Sequence, residues 1–138
     1  MRPGEPAGGL FDSLFTTDQM AAATSDRAWV AAMLQFEAAL AAAESRLGLV
    51  PSEAADTIAK CCREMDLDPA ILGREGRLGA NPAIGLVKEL CKQLPPEAAC
   101  WAHFGATSQD ALDSALMLVL RDVLDLVLGD LKRLASAA

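Results

Sequence analysis

Tyrosine is absent from this chain of 138 residues, and aromatic residues make up only 4% of it. Hydrophobic residues nevertheless reach 52%, and much of that share is alanine and leucine. Alanine and leucine are strong helix formers, whereas sheets favour β-branched and aromatic side chains. The composition therefore predicts an all-α fold, and the length suffices for a domain with a modest core.

Positive charge is also scarce, because 12 Lys and Arg stand against 19 Asp and Glu, for a net charge of −7. Binding to nucleic acid or to an acidic membrane needs a basic face, so we expect no nucleic-acid partner and no membrane partner. A small anionic substrate stays compatible with this charge, since one site can be locally positive. Charged residues interrupt the most apolar stretch, which argues against a transmembrane span; they are Arg121, Asp122, Asp125 and Asp130.

Metal-ligand spacings and the common catalytic motifs are missing as well. Histidine occurs once, and the four cysteines (Cys61, Cys62, Cys91 and Cys100) include no CxxC pair. We therefore expect the cysteines to be reduced and to serve as packing residues in a cytoplasmic protein. We also expect no bound metal. No P-loop, GxGxxG or Ser/His/Asp constellation is present. Residues 1–9 are rich in Pro and Gly and lack an apolar core, which predicts a disordered arm rather than a signal peptide.

Residues that start and stop helices divide the remaining chain. Thr24 or Ser25 and then Ser52 are expected helix caps, and Asn81 caps a helix that has Pro82 at its first position. Trp29, Met33, Phe36 and Leu40 have the spacing of one helix face. The expected elements are a packed loop or short helical turns at 10–23, helices at 25–47, 52–65 and 82–94, a short turn at 68–72, and an exposed, mobile loop at 73–80.

The last predicted helix, from about Gln109 to Ala135, is apolar around most of its circumference. Such a helix belongs inside a bundle. The preceding helices are too short to surround it, so its neighbours are expected from a missing part of the chain, from other subunits, or from both. We divide the chain into an N-terminal helical domain at 10–108 and the truncated start of a central helical bundle at 109–138.

The stretch His103-Phe104-Gly105-Ala106-Thr107-Ser108-Gln109-Asp110 leads into that helix. The first N–H groups of a helix lack intrahelical partners and carry partial positive charge, so they suit a phosphate or carboxylate. Thr107 and Asp110 also have the spacing of a capping box. One interpretation is therefore that Thr107 serves as a helix cap and has no other role. His103 is either a structural histidine or a carboxylate ligand. Asn81 is either a cap or an amide that reaches a substrate carboxylate.

These residues resemble the first signature of the fumarase/aspartase superfamily. The resemblance continues through nearly all of the chain after the N-terminal arm. The segments that carry it are Ser25-Asp26-Arg27, Phe36-Glu37-Ala38-Ala39-Leu40, Leu47-Gly48-Leu49-Val50-Pro51, the run from Asn81 to Lys88, the run from His103 to Asp110, Asp113-Ser114-Ala115-Leu116 and Leu120-Arg121-Asp122.

Within that superfamily the chain is most similar to the cycloisomerase family of aromatic-acid breakdown. This resemblance implies interconversion of 3-carboxy-cis,cis-muconate and 4-carboxymuconolactone, without a metal or organic cofactor, through an aci-carboxylate that positioned donors stabilise. It implies substrate-binding roles for Asn81, His103, Thr107, Ser108 and Gln109. It also implies a homotetramer whose long helices form a central bundle.

The superfamily's catalytic His lies in a second signature, and its base Ser lies on a Gly-Ser-Ser-x-Met-Pro loop. That loop sequence does not occur in these 138 residues. We therefore expect an N-terminal portion of an enzyme that is inactive alone. Two alternatives stay open: another lyase of the superfamily, such as adenylosuccinate lyase, and a non-catalytic helical module that oligomerises through its last helix.

Overall fold

The computed structural model describes residues 12–138, and this part of the chain forms helices joined by turns, without a strand. The all-α prediction is thereby confirmed, whereas the expected arm at 1–9 lies outside the described residues. The helices are α1 (Asp12–Phe15), α2 (Asp18–Ala23), α3 (Asp26–Arg46), α4 (Ser52–Glu64), α5 (Pro69–Gly79), α6 (Pro82–Gln93), α7 (Pro96–Ala99) and α8 (Ser108–Ala137).

The core forms around α3, which packs most extensively against α4 and α8. The buried stripe of α3 includes Val30, Met33 and Leu34, and it continues through Glu37 to Ala41 and Glu44. Of the predicted face, Met33 is buried, and Trp29 and Phe36 are partly buried against the core. The face is thus confirmed in part, and the most buried positions lie beside it. The true stripe contains two carboxylates, which a search for apolar residues at helical spacing passes over.

Side-chain caps fix the start of α3 and the start of α6, as predicted. Ser25 Oγ accepts a hydrogen bond from the Ala28 N–H at 3.2 Å, and Asn81 Oδ1 accepts one from the Ala83 N–H at 2.9 Å. The predicted cap at Ser52 is wrong. Ser52 is the first residue of α4, and Pro51 precedes it without a side-chain cap bond. Pro51 has no polar side-chain atom to bond to the first turn.

The glycine-containing segment 73–80, predicted as a mobile loop, is instead helical as far as Gly79, the last residue of α5. Asp68 caps this helix with a hydrogen bond from the Ala70 N–H at 2.9 Å, and Ala80 ends it in the left-handed conformation with φ 55°. Each interior glycine costs a helix roughly 1 kcal/mol relative to alanine. Packing against α6 offsets that cost, because Leu72 is only 2% exposed.

The long helix α8 is covered over only part of its length. Ala111, Ala115 and Val119 are its buried residues, and it packs against α3, α2 and α6. Beyond Val119 its apolar side chains lie largely in solvent; the exposed ones are Leu120, Leu124, Val127, Leu128, Leu131 and Leu134. None of the helices within residues 12–138 combines the length and apolarity needed to cross a membrane.

Candidate functional site

The turn before α8 holds two residues in the left-handed backbone region. His103 has φ 57° and Gly105 has φ 68°. Glycine adopts this region at little cost, whereas a side-chain-bearing residue is disfavoured there by roughly 1–2 kcal/mol. His103 therefore needs stabilising contacts from its surroundings to stay in this conformation.

The main contact of His103 is a carboxylate from the centre of α3. Its Nδ1 lies 2.7 Å from Oε1 of Glu37, whose side chain is completely buried, while the His103 side chain is 17% exposed. The two ring nitrogens point in different directions, and Nδ1 is the one that faces the core. Nε2 makes no hydrogen bond within residues 12–138, and it is not among their buried unpartnered atoms. The Nε2 edge is thus the one available to a ligand.

A second carboxylate, that of Glu44, also lies beneath the turn. Glu44 lies two turns further along α3, and its Oε1 would be 3.5 Å from a Cβ placed on Gly105. Burial raises the pKa of both carboxyls; for Glu37, His103 opposes that shift and the Glu44 charge adds to it. One oxygen of each, Oε2, is buried without a hydrogen-bond partner. The floor of the turn is therefore acidic, buried and incompletely paired.

The start of α8 is a complete capping box. Thr107 Oγ1 accepts from the Asp110 N–H at 3.4 Å, and Asp110 Oδ2 accepts from the Thr107 N–H at 2.7 Å. These bonds with Thr107 hold the pKa of the Asp110 carboxyl below its ordinary value. Because the box occupies the Asp110 N–H, the groups left without an intrahelical partner are the N–H groups of Ser108 and Gln109.

The other predicted site residues do not all lie in the turn before α8 or point their side chains into free space. Ser108 is the first residue of α8 and half-buried, whereas the Gln109 amide donates to Asp113 Oδ1 at 2.6 Å on the same helix. Asn81 caps α6, and no hydrogen bond within the described residues joins it to the turn before α8. The structure thus brings His103, Thr107, Ser108 and Gln109 together on one turn and leaves Asn81 on another helix.

Sequence reasoning missed Glu37 as a member of this cluster. The signal was present, since Glu37 follows Met33 and Leu34 at helical spacing and thus falls on an apolar face. A carboxylate on the core side of a helix needs a partner. The identity of that partner, His103, could not be read from spacing, because it lies 66 residues away.

No group of three or more His, Cys, Asp or Glu side chains within residues 12–138 is arranged to hold a metal ion. All four cysteines lie in this part of the chain and are free. Burial, with smaller effects from neighbouring charges, raises the pKa of Cys62 to about 12, so its thiol stays protonated near neutral pH. Cys62 therefore acts as a packing residue.

Known proteins share both the sequence and the helical arrangement of this chain. It is 47% identical over 134 residues to a 3-carboxy-cis,cis-muconate cycloisomerase of Pseudomonas aeruginosa, an alignment of 95% of this chain and 29% of that protein. The crystal structure of 3-carboxy-cis,cis-muconate lactonizing enzyme from Pseudomonas putida matches with a TM-score of 0.87 and 46% identity, covering 92% of this chain and 30% of that one.

This chain is similar in sequence and in fold to one portion of these cycloisomerases. It spans about 30% of the length of the relatives it matches. No family model matches the sequence. A nitrosuccinate lyase of Streptomyces davaonensis is 44% identical over 94% of this chain and 28% of its own length. The relatives are therefore lyase and cycloisomerase enzymes, and the chain shares one stretch of their fold.

Proposed function

We propose that this chain forms part of a cycloisomerase that interconverts 3-carboxy-cis,cis-muconate and 4-carboxymuconolactone. The observation that carries the proposal is the 47% identity to the Pseudomonas aeruginosa cycloisomerase over 95% of the chain. The site geometry agrees with a polycarboxylate substrate, because donors converge on one turn at the start of a long helix.

In this proposal the start of α8 binds a substrate carboxylate. The donors are the unpaired N–H groups of Ser108 and Gln109, the Ser108 hydroxyl, and the Nε2–H of His103 in its imidazolium form. Helix N-termini favour anions, and donors fixed in advance stabilise charge that develops in an aci-carboxylate intermediate. Thr107 contributes by fixing the helix start, where its Oγ1 accepts from the Asp110 N–H. Its hydroxyl hydrogen can still donate to the substrate.

Asn81 belongs to the proposed site only if the remainder of the enzyme brings α6 towards the turn. Gln109 likewise contributes its backbone N–H in this fold, because Asp113 binds its side-chain amide. We propose further that 10–108 forms an N-terminal domain and that 109–138 begins a helical bundle shared with other subunits. The 138 residues alone are then inactive, since they span less than a third of a working relative.

A chimeric enzyme tests the proposal directly. The aligned segment of the Pseudomonas aeruginosa cycloisomerase is replaced by this chain, and turnover of 3-carboxy-cis,cis-muconate is followed by absorbance. We expect turnover near that of the parent enzyme. The Thr107→Ala/Ser108→Ala variant of the chimera should lose turnover by about a hundredfold or more, as expected when oxyanion donors are removed. Its thermal midpoint should fall only by the small amount that the loss of a helix cap explains. The matched control is Ser52→Ala, a hydroxyl at the first position of α4.

A second candidate is a lyase of the same superfamily with another substrate, which the 44% identity to nitrosuccinate lyase favours. The same segment is therefore placed in the Streptomyces davaonensis lyase, and each chimera is compared with its own parent. If the lyase chimera keeps a larger fraction of its parent's kcat/KM than the cycloisomerase chimera does, the lyase function is favoured over the cycloisomerase function. A folded but inactive protein in both hosts would favour the non-catalytic oligomerisation module.

A further inference from the structure

The contact between α3 and the turn before α8 carries an inference that rests on the proposed function. We infer that Glu37 is a positioning residue: it holds Nδ1 of His103 towards the core, so that Nε2 is presented to a substrate carboxylate at the start of α8. The pair joins residues 66 positions apart at 2.7 Å, and the Glu37 side chain has no exposure to solvent.

Burial gives this pair its effect on the imidazole ring. A carboxylate accepts hydrogen bonds, so an ionised Glu37 requires a hydrogen on Nδ1 and excludes the tautomer that carries its only proton on Nε2. In water such a contact would be weak, but a buried contact is little screened. Glu37 therefore sets the orientation of the ring and keeps a proton on Nδ1. Nε2 then donates to a substrate carboxylate when the ring is an imidazolium, which carries a proton on both nitrogens.

The backbone of the turn also depends on this contact. His103 has φ 57°, which is unfavourable for a residue with a side chain. The ring is held from below by Glu37 and flanked by the Gly105 turn, which passes over Glu44. Asp110 on α8 lies within electrostatic reach of His103. Cys62 of α4 and Cys91 of α6 lie within electrostatic reach of Glu37, and Cys62 is the protonated thiol described above.

A structural role alone predicts something different from a positioning role. Removing one partner of a buried ion pair destabilises a fold when the other charge is left uncompensated. His103 limits that cost, because its side chain is 17% exposed and its ring carries no charge in either single-proton tautomer. Glu37→Leu can therefore leave the fold intact while it removes the acceptor from His103. Glu37→Gln keeps the volume and retains an amide oxygen that can accept from Nδ1–H. The two variants separate ring positioning from packing.

His103 is the only histidine of the chain, so its ring nitrogens can be observed without assignment. Nitrogen-15 NMR of the histidine-labelled 138-residue protein, at mildly alkaline pH, reports the tautomer. We expect the Nδ1–H tautomer in the wild type and in Glu37→Gln, and mainly the Nε2–H tautomer in Glu37→Leu. Far-UV circular dichroism confirms that each variant is folded. The same tautomer in wild type and folded Glu37→Leu would overturn the inference.

Activity of the chimera described above gives a second readout. We expect Glu37→Leu to raise KM and to lower kcat together by about tenfold or more, with partial recovery in Glu37→Gln. The control is Leu72→Ala, which removes a buried side chain from α5, an element that carries neither Glu37 nor His103, and so lowers stability. If Glu37→Leu and Leu72→Ala lower kcat/KM equally, Glu37 acts only as a packing residue. If the wild-type chimera is inactive, the proposed function fails, whereas the NMR result still decides the role of Glu37.

Discussion

Gly105 and Gly48 each hold a positive φ, of 68° and 73°, in turns that border α3. A Cβ on Gly105 would meet Glu44 Oε1 at an ordinary 3.5 Å, and a Cβ on Gly48 would meet nothing within 4 Å. Alanine at either position is therefore opposed by backbone conformation and not by a clash. We expect Gly105→Ala and Gly48→Ala each to lower the free energy of unfolding by about 1 kcal/mol, measured by urea denaturation.

The matched pair also separates stability from function. In the chimera, Gly105→Ala shifts the turn that carries His103, so it should lower turnover, whereas Gly48→Ala lies in another turn and should not. If both variants lose turnover equally, the turn before α8 has no special role.

Glu37 should make stability depend on pH. Its pKa is raised in the folded protein, chiefly by burial, from an ordinary value of 4.5. The folded state thus binds this proton more tightly than the unfolded state, and the unfolding free energy contributed by Glu37 is highest below pH 4.5. It falls as the pH rises through the raised pKa.

Glu37→Gln removes this titration. As the pH rises, the wild type should therefore lose unfolding free energy relative to the Glu37→Gln variant. Urea denaturation over a pH series measures it. Glu53→Gln, an exposed change on α4, serves as the control. A difference that stays constant with pH for Glu37→Gln would show that burial does not raise the pKa of this carboxyl.

Among the elements, α5 shows most clearly how packing overrides local sequence. Its glycines favour a loop, yet Asp68 caps the segment, Pro69 fits the first helical position, and Leu72 fills the core beside α6. The long-range contact that stabilises α5 is invisible to a local pattern. The starts of α3, α6 and α8 could be predicted, because a cap depends only on residues three positions apart or fewer.

The same distinction explains what could be predicted of the site. His103, Thr107 and Ser108 lie in one short stretch, so their proximity follows from the sequence. Glu37 reaches them only after α3 and α8 pack together, and no local rule joins the two helices. The turn was thus predictable, whereas its acidic floor was not.

Gly73 in α5 offers a test of the packing argument. A Cβ at Gly73 meets nothing within 4 Å, whereas one at Gly79 would lie 3.1 Å from Ile84 Cδ1. If the segment is a helix, Gly73→Ala should raise the free energy of unfolding by about 0.5–1 kcal/mol. Gly79→Ala should gain less, since Ile84 must move. Loss of stability in Gly73→Ala, measured by urea denaturation, would argue for a loop.

At the scale of the whole molecule, the exposed apolar side of α8 dominates the behaviour of the isolated chain. Leu124, Leu128 and Leu131 are 48%, 50% and 54% exposed, and they follow one another along the uncovered half of the helix. Exposed apolar patches of this kind favour association. Copies of α8 can cover one another, as the proposed helical bundle requires.

We therefore expect the 138-residue protein to form oligomers that sedimentation velocity detects at micromolar concentration. Replacing Leu124, Leu128 and Leu131 by Gln should shift the protein towards monomer, because each change removes apolar area that association would bury, worth about 25 cal/mol per Å². The matched control changes three exposed polar residues of the same half of α8, in the variant Asp125→Asn/Asp130→Asn/Lys132→Gln, and should leave association in place. A wild-type chain that sediments as a monomer would separate α8 from self-association and leave its apolar side to be covered by the rest of a longer enzyme.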